Sequence, residues 1–149
     1  MGDYAAQEVR RLDEVLTAEL RERLAASPFH SWVGVAVVEA SPGEVVVDLE
    51  AGPQHRNLQG LIHGGLLATL ADIAMGLSVR TSVEPGRRHV TIEMSIRFLR
   101  PGKPGKIQAK GHTLRVGREV AFAEAEVTDE NGRVLATAQG TYSVTGSEG

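Results

Sequence analysis

The chain has 149 residues, 42% of them hydrophobic, which suits one domain with a real core and leaves little room for a second. A formal net charge of −3 supplies no general attraction for nucleic acid, and the absence of cysteine removes disulfides, thiolate metal ligands and cysteine nucleophiles together. No segment approaches the ~20 apolar residues of a membrane span and none has the pattern of a signal peptide, so a soluble cytoplasmic protein is the expectation.

From Glu8 to Leu24, apolar residues fall at Val9, Leu12, Leu16 and Leu20, spaced by three and four as on one stripe of a helix. Ser27-Pro28 predicts its end, because the residue before a proline is pushed away from helical angles. Residues 1–28 are therefore expected to form an accessory amphipathic helix, a lid or packing element. Val33–Glu39 and Glu44–Glu50 are rich in Val and separated by Ser41-Pro42-Gly43, which predicts two strands joined by a tight turn. Residues 51–62, punctuated by Gly52, Pro53, Asn57 and Gly60, read as a loop.

The run Gly64–Leu77 is apolar on most sides and rich in small residues, the pattern of a buried helix of about four turns. Asp72 is the anomaly on it: a carboxylate in such a helix must be paired, protonated or functional. After Glu84-Pro85-Gly86 the chain reads as strands. Alternation predicts Val90, Ile92, Met94, Ile96 and Phe98 on one face and Thr91, Glu93, Ser95 and Arg97 on the other. Lys106–Val116, Glu119–Thr128 and Arg133–Val144 follow, divided by Gly117-Arg118 and by Asp129-Glu130-Asn131-Gly132. One buried helix and about six strands, four of them consecutive, predict an α+β domain over residues 29–145 with an antiparallel sheet wrapped around the helix. Residues 146–149 are expected to be a disordered tail.

Gly64 and Gly65 open the buried helix, where the first amide N–H groups lack helical partners and the helix dipole is positive. Such a place suits an oxyanion site, although two glycines also serve a tight loop-to-helix junction. Asp72 lies eight residues further on, ~12 Å along the axis, too far for one small substrate to touch both on one chain. A second copy with its helix antiparallel would bring its Asp72 beside the first copy's Gly64, creating two sites across a two-fold interface.

The order Asn57-x-x-Gly60-x-x-His63-Gly64-Gly65 followed by Asp72 resembles the signature of phenylacetate-pathway-type (PaaI-like) hotdog-fold acyl-CoA thioesterases. The resemblance extends through Val90–Met94, Phe98-Leu99-Arg100-Pro101, Gly117-Arg118 and Val134–Gly140, and covers residues 29–144. It implies a sheet wrapped round a central helix, dimers whose sheets join edge to edge, and tetramers of those dimers. It also implies hydrolysis of an acyl- or aryl-acyl-CoA without metal or organic cofactor, coenzyme A entering only as part of the substrate. By position, the Gly64 N–H would polarise the thioester carbonyl, and Asp72 of the partner subunit would be general base or nucleophile. Asn57 and His63 would shape the carbonyl and leaving-sulfur end, and Thr91 would position water or the carboxylate.

For His63 a bracing role in the loop competes evenly with a catalytic one. Arg97, Arg100, Lys103 and Arg118, grouped in sequence around two turns with Lys106 and Arg115, are candidates with Gly65 for substrate contacts, the cations for the coenzyme A phosphates. His30, His55, His89 and His112 have no metal-type spacing and read as surface or packing residues. Leu66, Leu70 and Met75 are expected to line the acyl pocket. The alternatives are a non-catalytic acyl-CoA-binding or sensor protein, or an acyl-thioester hydratase or dehydratase, whose characteristic motifs are missing.

Overall fold

The computed structural model describes residues 2–146; of the expected tail, residues 147–149 lie outside them. Helix α1 (Gly2–Ala25) and a short helix α2 (Pro28–Val33) precede strands β1 (Ala36–Ser41) and β2 (Glu44–Ala51). A 3-10 turn (Pro53–His55) leads into a loop and then helix α3 (Gly64–Ser82). Strands β3 (Arg88–Phe98), β4 (Gly105–Val116), β5 (Val120–Asp129) and β6 (Val134–Thr145) complete one antiparallel six-stranded sheet in the order β1-β2-β4-β5-β6-β3. The sheet curls round α3, the hotdog arrangement that the resemblance implied.

Small residues let helix and sheet approach. Ala109 and Gly111 of β4, Ala123 and Ala125 of β5, and Ala138 of β6 share the inner face against buried Leu67, Leu70, Ala71, Ala74 and Met75. At Gly111 a methyl group would stand 2.1 Å from the Ala74 carbonyl oxygen, so the helix backbone rests directly on that glycine. Leu70 and Met75 are fully buried in this core. They are packing residues rather than the acyl-pocket lining expected of them; Leu66 is only partly buried.

Three expectations from periodicity are corrected. First, α2 occupies Pro28–Val33, where Val33 is expected to start a strand; Pro28 sits in its first turn, where a missing N–H does no harm. Second, α1 begins at Gly2, and its contact face is Thr17, Leu20 and Leu24, while Val9 and Leu12 are exposed. Third, a bulge falls between Thr91 and Glu93, which pair with the successive residues Tyr142 and Thr141. The extra residue, Ile92, resets the alternation. Thr91 therefore shares the inner face with Met94 and Ile96, and Glu93 joins Ser95 and Arg97 outside.

The two sheet edges differ. Along β1, α1 supplies the missing partners: Arg21 Nε donates to Val37 O (2.9 Å), its Nη2 to Val38 O (2.7 Å), and Ala40 N–H donates to Thr17 Oγ1 (2.9 Å). Among the described residues, strand β3 pairs only with β6, and Val90 and Ile92 are exposed on it. A long apolar edge left unpaired is a template for another chain.

Candidate active site

The loop before α3 is held by its own polar groups. Asn57 Oδ1 accepts from the N–H groups of Gln59 (2.9 Å) and Leu61 (3.1 Å), and Asn57 N–H donates to Leu61 O (2.7 Å). This fixes the amide so that its NH2 is the end left for other contacts. His55, read from sequence as a surface or packing residue, braces the same loop: Nδ1 accepts from Gly52 N–H (3.0 Å), Nε2 lies 3.2 Å from Val33 O, and its carbonyl accepts from His63 N–H (2.8 Å).

His63 is the N-cap of α3, and its Nδ1 accepts from Gly65 N–H at 2.8 Å. The proton of a neutral His63 ring is thereby placed on Nε2. A methyl group on Gly65 would lie 3.0 Å from that Nδ1, so glycine makes room for the cap. The Gly65 N–H is thus already engaged within the chain. The Gly64 N–H, one step earlier, has no acceptor within hydrogen-bonding distance among the described residues. It is a backbone donor at the positive end of a nineteen-residue helix, half-exposed, with the Phe98 ring packed beside its Cα.

Two turns further on, Asp72 is half-buried, and two hydroxyls meet at one of its oxygens. Thr91 Oγ1 donates to Asp72 Oδ1 at 2.9 Å, and Tyr142 OH donates to the same atom at 3.0 Å. The bulge at Ile92 turns Thr91 inward to make this contact. Burial, and then the Asp72 carboxylate, push the Tyr142 phenol far above its ordinary range, so it stays protonated. Sequence reasoning missed Tyr142. An isolated aromatic in a β-rich strand gives no periodic signal; only its pairing with Thr91 brings it under the helix. His89, on the same inner face, lies 6.1 Å from the Tyr142 ring and is lowered by burial and by nearby Arg80.

The chain does not gather every expected site residue into one place. Asn57, His63, Gly64 and Phe98 stand near the C-terminal end of β3, and Asp72, Thr91 and Tyr142 towards its N-terminal end. Among the cations, Arg100 donates to Val134 O (2.8 Å) and Lys103 follows Gly102, whose carbonyl accepts from Ile62 (2.9 Å), both by the loop. Arg118 sits at the far end of the sheet, its carbonyl accepting from Arg87 (2.6 Å). Arg97 faces the outer side, in a groove of about 740 Å³ with Lys110, His112 and Glu124. A second groove of about 480 Å³ follows α1, and neither is lined by the 57–65 segment or Asp72. No cluster suited to a metal ion occurs among the described residues.

Comparison with known proteins bears on this arrangement. Residues 59–136, from the loop to the start of β6, match the thioesterase superfamily. Human acyl-coenzyme A thioesterase 13 is 31% identical over 133 residues, which cover 85% of this chain and 94% of that protein. Among solved structures, a mutant of the phenylacetic acid degradation protein PaaI from Thermus thermophilus superposes with a TM-score of 0.72 at 32% identity, covering 78% of this chain and 98% of that one. Zebrafish thioesterase superfamily member 2 gives 0.74 at 30% identity, covering 92% and 98%. The matched segment spans the glycine-opened helix and the strand that reaches its carboxylate, and with it the chain belongs to the thioesterase superfamily, whose members it resembles as a thioester hydrolase.

Proposed function

We propose that this protein hydrolyses an acyl- or aryl-acyl-CoA to the free acid and coenzyme A, at two sites built across a homodimer. The observation that carries the reading is the free Gly64 N–H at the start of α3, with the chain's helix carboxylate, Asp72, held at the other end of the same open edge. Similarity to acyl-coenzyme A thioesterase 13 supports the substrate class.

Antiparallel pairing of β3 with β3 of a second copy, about a two-fold near Met94 and Ser95, sets the Phe98 end of one strand beside the Thr91 end of the other. Gly64 then faces Asp72 of the partner subunit. The Gly64 N–H receives the thioester carbonyl oxygen as charge develops on it. Asp72 of the partner subunit takes a proton from water as the water oxygen bonds to the carbonyl carbon, or bonds to that carbon itself, giving an anhydride that water opens. The C–S bond breaks and coenzyme A leaves as the thiolate. The Asn57 NH2 and His63 Nε2–H are the donors for the carbonyl and sulfur end, and Thr91 keeps the carboxylate in place. The same pairing brings Arg100 and Lys103 of one protomer towards Arg118 of the partner subunit, so the coenzyme A phosphates meet cations from both chains. Tetramers of such dimers, without metal or organic cofactor, complete the reading.

A panel of acyl-CoAs, read by a thiol-reactive dye, tests it. Released coenzyme A that disappears in Asp72→Ala, with the dimer intact, is the expected result. Tight binding without turnover would replace the enzyme by an acyl-CoA-binding protein.

A further inference from the structure

We infer that Tyr142 is a positioning residue for this reaction: with Thr91 it holds Asp72 Oδ1, so that Oδ2 is the oxygen that meets water or substrate. The inference rests on the reading of Asp72 just given. Its basis is an asymmetry between two chemically equivalent atoms. Oδ1 accepts from Thr91 Oγ1 at 2.9 Å and from Tyr142 OH at 3.0 Å, whereas Oδ2 accepts from no group among the described residues. The Tyr142 hydroxyl also lies 3.3 Å from the Asp72 backbone carbonyl oxygen, which ties the side chain to its own turn of helix. Tyr142 is almost wholly buried, 1% exposed, so its ring is fixed while Asp72 stays half-open.

Two donors on one oxygen do more than restrain a rotamer. Hydrogen bonds to a carboxylate are charge-assisted, so the pair anchors Asp72 firmly beside an apolar core. They also saturate Oδ1 and leave the lone pairs of Oδ2 free. The groups facing Asp72 are few. Tyr142 comes from β6 and Thr91 from β3; His89 of β3 lies near enough to feel the carboxylate, and Arg80 of α3 and Arg23 of α1 act on that histidine. Strands β4 and β5 turn Ala109, Gly111, Ala123 and Ala125 towards the helix, none of which titrates. Among these neighbours Tyr142 is a donor whatever the working pH.

The test is Tyr142→Phe, which keeps the ring and removes the hydroxyl. The expected fall in kcat is about 10- to 100-fold with KM little changed, the worth of one hydrogen bond to a charged group. A loss in kcat at unchanged KM marks a reacting carboxylate that has lost its orientation rather than a lost substrate contact. A fluorinated tyrosine at position 142 keeps the shape and the donor and should retain most of the wild-type kcat; this variant serves if Tyr142→Phe does not fold. In an Asp72→Asn background Tyr142→Phe should have little further effect on rate. An unchanged kcat in Tyr142→Phe, a large loss of kcat in the fluorinated variant, or a full additional loss on top of Asp72→Asn, would assign Tyr142 to packing alone and overturn the inference. Normal turnover by Asp72→Asn itself would instead remove the functional reading beneath it.

Discussion

Gly64 and Gly65 stand side by side, yet the fold gives them different work. The Gly65 N–H completes the His63 cap, and only the Gly64 N–H is left to donate outward. The two effects of glycine at 64, small size and a free donor, can be separated because Gly64 is the first residue of α3. Proline is tolerated there, and His63 before it already has φ −61° and ψ 133°, the extended geometry that proline demands of its predecessor. Gly64→Ala keeps the N–H and adds a Cβ that meets the exposed Phe98 ring at 3.2 Å, close enough to require a small shift of that ring. Gly64→Pro adds the same Cβ, carries it on through two ring carbons to the nitrogen, and deletes the donor. If the N–H stabilises the oxyanion, steady-state kinetics should show kcat lower by about 10²–10³-fold in the proline variant than in the alanine variant, at similar melting temperatures. Equal activities would mean that size, and not donation, is what position 64 requires.

At the scale of elements, the two outer strands of the sheet are handled in opposite ways. On β1, Arg21 and Thr17 reach from α1 to backbone groups on the strand's free side, and the bulge at Val38 presents adjacent carbonyls to one guanidinium. Replacing Arg21 by Ala removes two hydrogen bonds at a partly exposed site, which is expected to cost about 1–2 kcal/mol in denaturant unfolding. The more telling expectation is a rise in light scattering on concentration, because an edge has been uncovered. Unchanged scattering would reduce α1 to a cover for the apolar side of β1. None of this is legible in the sequence. The apolar stripe of α1 runs through Val9 and Leu12, which are exposed, because periodicity marks a face without saying how far its support extends. The existence and order of the six strands and of α3 are legible, since Pro-Gly and Asn-Gly turns and a long apolar run are strong local signals. The bulge at Ile92 is not. It follows from how β3 meets β6, and by reversing Thr91 it separates a strand residue on the solvent face from one that touches Asp72. Gly64 and Asp72 can be named from spacing, and Asn57 and His63 from the resemblance of the motif around them; Tyr142 needs the sheet register. Gly111, too, carries no local signal in the sequence, yet α3 rests on it.

For the whole molecule, one protected edge and one open edge have a definite consequence. A chain with two open edges can add copies indefinitely, while a chain with one can close only with itself, through a symmetric pair. Strand β3 offers that edge, with exposed Val90, Ile92, Phe98 and Leu99 on it or just after it. The separation of Gly64 from Asp72 along the edge then makes a prediction independent of any single rate. In the proposed dimer each site takes Gly64 from one chain and Asp72 from the other. Mixing inactive Gly64→Pro with inactive Asp72→Ala produces heterodimers in which one site carries both lesions and the other carries neither. Random reassortment makes half of all dimers mixed, each with one intact site of two, so about a quarter of wild-type activity should return. Before reassortment the mixture should be inactive, and the activity should appear at the rate at which subunits exchange. A site contained within one chain would regain nothing, however long the two variants were mixed. That result would break the link between the open edge and the chemistry while leaving the fold as described.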